Sequence, residues 1–178
     1  MTETILKGRV LRYVASPFDL PPEEAARVDE AVLIRDGVIK ETGSAAALRA
    51  RAPGAAVEDW GDALITPGLI DSHAHYPQTA IIASWGKRLI DWPNTYTFPE
   101  EMRFDDPAHA REIATSYFNL TLAHGTTTTA SFCTSHPASV EAYFTEAEAR
   151  NLRALGGKTC MDRNAPDGLR DTAGRAHD

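Results

Sequence analysis

Two hydrophobic rhythms run along the chain, and one gives way to the other near residue 67. Before that point, residues 4 to 14, 31 to 41 and 57 to 64 are short apolar and β-branched runs broken by turn residues, which is the pattern of strands. Asp36-Gly37 separates Ala31 to Arg35 from Val38 to Glu41. An Asp-Gly pair is the strongest two-residue hairpin signal, because both central positions take positive φ. The polar, proline-containing stretch Ser16 to Glu24 reads as a surface loop, and Ser44 to Arg51 reads as a short helix. A small β domain over residues 1–66 is the expectation.

Residues 67–178 read as strand, helix, strand, helix, strand. The apolar run Leu64 to Ile70, with its turn at Thr66-Pro67-Gly68, leads into the first of these strands. Asp106-Pro107 supplies an N-cap and a proline at the first helical position. Ala110, Ile113, Tyr117 and Leu120 then recur at helical spacing, and His124-Gly125 closes a helix of about five turns. Thr126 to Cys133 is a β-branched strand. Pro137 opens a helix that presents Val140, Phe144 and Ala147 on one face, and Leu152 to Met161 is a third strand. Alternating β and α units imply an α/β fold with parallel strands and helices packed outside. In such folds chemistry gathers at the carboxyl ends of the strands. Here those ends hold His73 and His75, then Cys133 to His136, then Asp162-Arg163-Asn164.

At 178 residues and 43% hydrophobic, the chain can bury a core, so disorder is excluded. A net charge of −7 argues against nucleic-acid and anionic-membrane partners, which reward a basic face. The start Met-Thr-Glu-Thr carries no signal-peptide pattern and no long apolar run follows, so a cytoplasmic protein is expected. Cys133 and Cys160 both lie in apolar, strand-like runs and read as buried free thiols.

Asp71-Ser72-His73-Ala74-His75 carries the chemistry. On a strand, residues two apart share a face, so Asp71, His73 and His75 are predicted to project together, and two neutral imidazoles so placed can hold one Zn²⁺. The competing reading makes these histidines incidental or structural, and both stay open on the residues alone. The other histidines read blandly: His109 as surface, His124 as the polar end of a helix, His136 as loop or helix start with a smaller claim on the site, and His177 as part of a frayed end. Trp92, Tyr96 and Phe98 read as loop packing before they read as a pocket wall. Arg163 and Asn164 are candidates for ligand contacts, with Asp162-Arg163 alternatively an internal ion pair.

Thr66 to His75 resembles the first barrel strand of the amidohydrolase superfamily. Together with His75-Tyr76-Pro77-Gln78-Thr79, Leu89 to Pro99, Ala123 to Thr128 and Met161 to Asp167, it resembles the guanine deaminase branch of those metal-dependent hydrolases. The resemblance implies a partial (β/α)₈ barrel of about three β/α units over residues 67–178, preceded by the N-terminal part of a small β-sandwich over residues 1–66. It also implies Zn²⁺ held by His73 and His75, with His75, Tyr76, Pro77 and Gln78 at the substrate. The activity implied is hydrolytic deamination of guanine to xanthine and ammonia in purine catabolism, by a homodimer in the full-length form. Gln78 suits that role because its amide both donates and accepts hydrogen bonds.

A complete barrel of this kind takes about 250 residues, whereas about 110 follow Pro67. Two histidines also fall short of the three protein ligands usual for catalytic zinc. The expectation is an N-terminal fragment, inactive alone. The alternatives are another amidohydrolase, such as a chlorohydrolase or a different nucleobase deaminase, and a non-catalytic truncated product that associates through its open sheet edge.

Overall fold

The computed structural model describes residues 2–86, 88–172 and 174, and the chain divides into two compact units, Met1–Pro67 and Gly68–Asp178. His177 lies outside the described residues.

The first unit is a four-stranded sheet covered by a helix. Its elements are β1 (Glu3–Tyr13), the short α1 (Pro22–Ala25), β2 (Ala26–Arg35), β3 (Val38–Gly43), α2 (Ala45–Arg51) and β4 (Ala56–Ile65). The strand order is β3-β2-β1-β4, with β1 antiparallel to β2 and parallel to β4. Asp36 and Gly37 turn the β2–β3 hairpin with φ of 49° and 77°, and the Asp36 carboxylate accepts the Thr2 backbone N–H at 2.9 Å. Ser44 caps α2, its hydroxyl oxygen accepting from Ala47 N at 3.2 Å. Leu48 of that helix then packs on Ile5, Ala31 and Leu33 of the sheet. β2 begins five residues before the expected Ala31, because pairing with β1 continues to Tyr13 opposite Ala26 and holds a polar stretch extended. Pairing outweighs local preference there.

The second unit is a three-stranded parallel sheet, β5 (Leu69–His75), β6 (Thr126–Phe132) and β7 (Arg153–Gly157), in that order across the sheet. A 3₁₀ turn (Tyr76–Ile81), a π-helical turn (Pro93–Thr97), α3 (Phe98–Met102) and a second 3₁₀ turn (Arg103–Asp105) follow β5. α4 (Pro107–Ala123) and α5 (Pro137–Ala149) make the two crossovers, and a last 3₁₀ turn spans Asp167–Leu169. The fold is α/β, a partial barrel. Among the described residues no helix is long and apolar enough to cross a membrane.

The sheet and the helices enclose an aromatic core of Tyr76, Phe104, Tyr117, Phe118 and Tyr143, with Ala110, Ala114 and Cys133 filling between them. The opposite face of the sheet is open: Phe132 is 47% and Leu155 55% exposed. α4 keeps its expected ends, with the Asp106 carboxylate accepting from Ala108 N at 2.8 Å and Gly125 at φ 82°. α5 buries Ser139, Ala142, Tyr143 and Ala147, so its inner face is rotated from the predicted one and Phe144 is exposed. A serine takes the inner position because its hydroxyl accepts the Thr134 N–H at 3.0 Å and meets the Tyr76 hydroxyl at 2.8 Å. β7 stops at Gly157, short of the predicted Met161, which leaves Cys160 exposed and only Cys133 buried.

Gly156 of β7 lies where a methyl group has no room: a Cβ there would sit 2.9 Å from the Ser131 carbonyl and 3.0 Å from the Tyr143 ring. Gly156→Ala is predicted to destabilise this unit by about 1–3 kcal/mol in urea unfolding. Gly157→Ala, with nothing within 4 Å of the new methyl, is predicted to change stability by less than about 0.5 kcal/mol.

Candidate metal centre

The arrangement of β5 is set by a bulge. Asp71 pairs with Thr129 and Ala74 with Ser131 of β6, so Ser72 and His73 together stand opposite Ala130 alone. An extra residue of this kind resets the alternation of faces. Asp71 therefore falls on the side of buried Thr129, toward the helices, where its charge acts on the Tyr117 and Tyr143 hydroxyls. The expectation that Asp71 projects with the two histidines is corrected. Instead its carboxylate accepts the His73 backbone N–H at 3.1 Å and fastens the bulge.

His73 and His75 do share a face. Their ring centroids are 5.4 Å apart, and both rings lie against Phe132, which is opposite His75 in register. Phe132 stacks on His75 at 4.9 Å with 26° between the planes, and it meets His73 edge-on at 5.5 Å. Burial lowers the His75 pKa, and the neighbouring His73 lowers it further. That favours the neutral imidazole, the form that binds metal.

After His75 the chain tightens into the 3₁₀ turn, with Tyr76 N donating to the Ser131 hydroxyl at 2.8 Å. The Tyr76 side chain turns inward, stacks on Tyr143 at 5.2 Å and donates its hydroxyl hydrogen to the Ser139 carbonyl at 2.5 Å. Tyr76 and Pro77, expected at the substrate, are both fully buried. They anchor the turn. Gln78 is placed differently: with His73, His75, Thr79, Trp92 and Tyr117 it lines a cavity of about 310 Å³. His73 also borders a second cavity of about 320 Å³ on the open face, together with Ser72, Phe132, Gly156 and Lys158.

Glu101 of α3 is buried, with Gln78 among its neighbours. Burial pushes the Glu101 carboxyl up to about 7, the Gln78 contact working against that shift. Its neighbour Glu100 is also buried and faces other partners, His109 Nε2 at 2.7 Å and Arg103 Nη1 at 2.8 Å. His109 is thus buried, contrary to the surface position read from sequence, because Glu100 offers it an acceptor inside the fold. Two adjacent glutamates in a largely apolar stretch were the signal for these buried carboxyls. Phe132 was missed as a cavity residue, although strand register alone brings it opposite His75, and Trp92 takes the pocket-wall place that the sequence ranked second.

The remaining candidates lie elsewhere. His124 Nδ1 bonds the Leu120 carbonyl at 2.8 Å, finishing α4. His136 precedes α5, buried, with Nδ1 3.7 Å from the Asp105 carboxylate. Asp162 and Arg163 form an exposed pair at 3.8 Å. Among the described residues no three His, Cys, Asp or Glu side chains cluster to hold a metal ion. The donor chemistry therefore fits part of a zinc site, two imidazoles on one rigid strand, and stops below a complete catalytic set.

Residues 64–177 match the Amidohydrolase family. The chain belongs to that family. Residues 31–55 also match an Imidazolonepropionase-like composite domain from bacteria. The chain is similar to the guanine deaminase of Escherichia coli K12, 46% identical over 117 residues, which are 66% of this chain and 27% of that protein. It also resembles the crystal structure of guanine deaminase from Bradyrhizobium japonicum, with a TM-score of 0.89 at 36% identity, covering 97% of this chain and 38% of that one. A guanine deaminase from C. acetobutylicum with guanine bound in its active site matches with a TM-score of 0.78 at 28% identity, over 96% of this chain and 39% of that one. The chain thus spans about two fifths or less of the length of these relatives.

Glu101 yields a pH prediction. A glutamate loses its proton near 4.5 when unfolded, whereas the folded carboxyl holds it to about 7. Between those values the folded state binds the additional proton, so stability falls as pH rises through this window and stays low above it. Glu101→Gln is predicted to flatten that slope and to be more stable than the wild type above neutrality by about 3 kcal/mol, measured as urea unfolding across pH.

Proposed function

We propose that this chain is the metal-ligating N-terminal part of a guanine deaminase, an enzyme that converts guanine and water to xanthine and ammonia in purine breakdown. The observation that carries the reading is the pair of imidazoles, His73 and His75, held on one face at the carboxyl end of β5 and bordering the cavity that also takes Gln78. His73 and His75 would hold Zn²⁺. When bound, zinc supplies a water acidified to a pKa of about 7, hydroxide at neutral pH.

The chain's own residues provide the frame. Phe132 stacks on His75 and fixes its ring, so the ligand lone pair is aimed without further ordering. Tyr76 and Pro77 lock the turn that presents Gln78. Gln78 binds the purine edge through its amide, and Trp92 supplies a flat wall to the same cavity. With two protein ligands the zinc affinity is weak, and the chain alone is inactive. The reading carries a cytoplasmic location, a small-molecule substrate and a homodimeric completed enzyme, with no nucleic-acid or membrane partner.

Equilibrium dialysis of this chain against Zn²⁺ is expected to show one weak site that His73→Ala and His75→Ala each abolish. Zinc uptake unchanged by both variants would overturn the ligand assignment. Mixed with a C-terminal fragment of a guanine deaminase, the chain is expected to release ammonia from guanine and not from adenine or cytosine. Ammonia from another base and none from guanine would overturn the substrate.

A further inference from the structure

The β5–β6 pair carries two irregularities of opposite sense. Leu69 pairs with Thr126 but Ile70 with Thr128, so β6 holds one extra residue there, Thr127. Between Asp71 and Ala74 it is β5 that holds the extra residue, and at Ala74 and His75 the register is again what it was at Leu69. We propose that Asp71 is a positioning residue for the metal centre: its carboxylate fixes where β5 takes up its extra residue, and so which side of the sheet His73 faces. The inference rests on the reading of His73 and His75 as zinc ligands.

Both ends of the strand are fixed independently. At its start Leu69 N donates to the Gly125 carbonyl at 2.8 Å, and the Thr127 side chain fills the space beside Gly68, where a Cβ would lie 2.0 Å from Thr127 Oγ1. At its end Tyr76 N donates to the Ser131 hydroxyl at 2.8 Å. One extra residue must therefore be absorbed somewhere between Asp71 and Tyr76. A slip of one residue turns every side chain in the slipped stretch to the other face. Absorbed before or at His73, the extra residue leaves His73 on the face of His75; absorbed after it, His73 would stand opposite Ser131 and turn toward the helices.

The bond that decides between these two places is the one from His73 N to Asp71 Oδ1, at 3.1 Å. A short acidic side chain offers the backbone an acceptor outside the ladder, which is what a residue stepping out of register needs. Among the described residues β6 is the one strand beside β5, so no second neighbour holds the step in place. An alanine at position 71 removes the acceptor. An asparagine keeps a side-chain oxygen of the same reach and removes the charge, which separates the hydrogen bond from a simple attraction between an anion and a nearby cation. Groups that orient metal ligands are worth about 10–100-fold in metal affinity.

The test is NMR on the whole 178-residue chain, first without metal. Ring protons of His73 are expected to show contact with Phe132, 5.5 Å away between centroids, in the wild type and in Asp71→Asn, and to lose it in Asp71→Ala. The His75–Phe132 contact at 4.9 Å should persist in all three. Titration with Zn²⁺, followed through the imidazole signals, is expected to show about tenfold weaker binding in Asp71→Ala and a change of less than about twofold in Asp71→Asn. Asp71→Ala with the His73 contact intact, or with wild-type zinc affinity, would overturn the proposal. Loss of both histidine contacts would overturn it as well, making Asp71 a general support of the strand. Asp71→Asn as weak as Asp71→Ala would assign the effect to charge and overturn it too. Ring contacts that respond as expected, in a chain whose imidazoles zinc does not shift, would leave Asp71 as the anchor of His73 and overturn the zinc assignment on which its role at the metal rests.

Discussion

The two-against-one step in β5, where Ser72 and His73 face Ala130 alone, is the constraint on which the site depends. Without it the strand would send Asp71, His73 and His75 to one side, and a carboxylate would crowd the imidazoles. With it, Asp71 turns toward the helices and returns a carboxylate oxygen to the His73 backbone N–H, so the residue displaced from the site holds the distortion that displaced it. Bulges commonly sit beside active sites because they re-aim a side chain without loosening the strand. Here the strand regains its pairing at Ala74 and His75, and both rings come to rest on Phe132.

Rigidity reaches the site from the helix side. Tyr76 is the junction: its backbone N–H continues the sheet's bonding through the Ser131 hydroxyl, while its ring joins Phe104, Tyr117 and Tyr143. The Tyr143 hydroxyl in turn reaches the Leu155 carbonyl of β7 at 3.1 Å, and the Tyr117 hydroxyl meets Thr129 Oγ1 at 2.5 Å. Each of these hydroxyls is buried and each has a partner, as burial of a polar group demands. The aromatic layer therefore locates α4 and α5 on the strands through hydrogen bonds as well as through apolar area. The turn that carries Gln78 is pinned at the same point.

Much of this was legible where the signal is local. Asp36-Gly37, Ser44, Asp106-Pro107 and His124-Gly125 each mark a turn or a cap whose geometry depends on a few adjacent residues, and each sits where its chemistry says. The His73 and His75 pair also follows from spacing, because no irregularity falls between them and the end of the strand. The failures share a different cause. Asp71 depends on β6 skipping a partner, Tyr76 on a hydroxyl acceptor in α5, and the inner face of α5 on a serine that a hydrophobic pattern cannot count as core. His109 lies inside because Glu100 waits there. In each case a residue distant in sequence supplies the deciding hydrogen bond or register.

Glu100 and Glu101 show how far a single step along the chain can separate two equal side chains. Both are buried at the short helix that follows the aromatic loop, and burying a carboxylate costs free energy unless partners replace its water. Glu100 receives a guanidinium and an imidazole, which compensate the charge and tie α3 to α4. At Glu101 burial dominates instead, and its proton affinity rises accordingly. A fold selected for stability alone has a simple remedy at that position, a glutamine or an apolar residue. Where Glu101 stands, the cost depends on pH and falls away as the carboxyl takes up its proton.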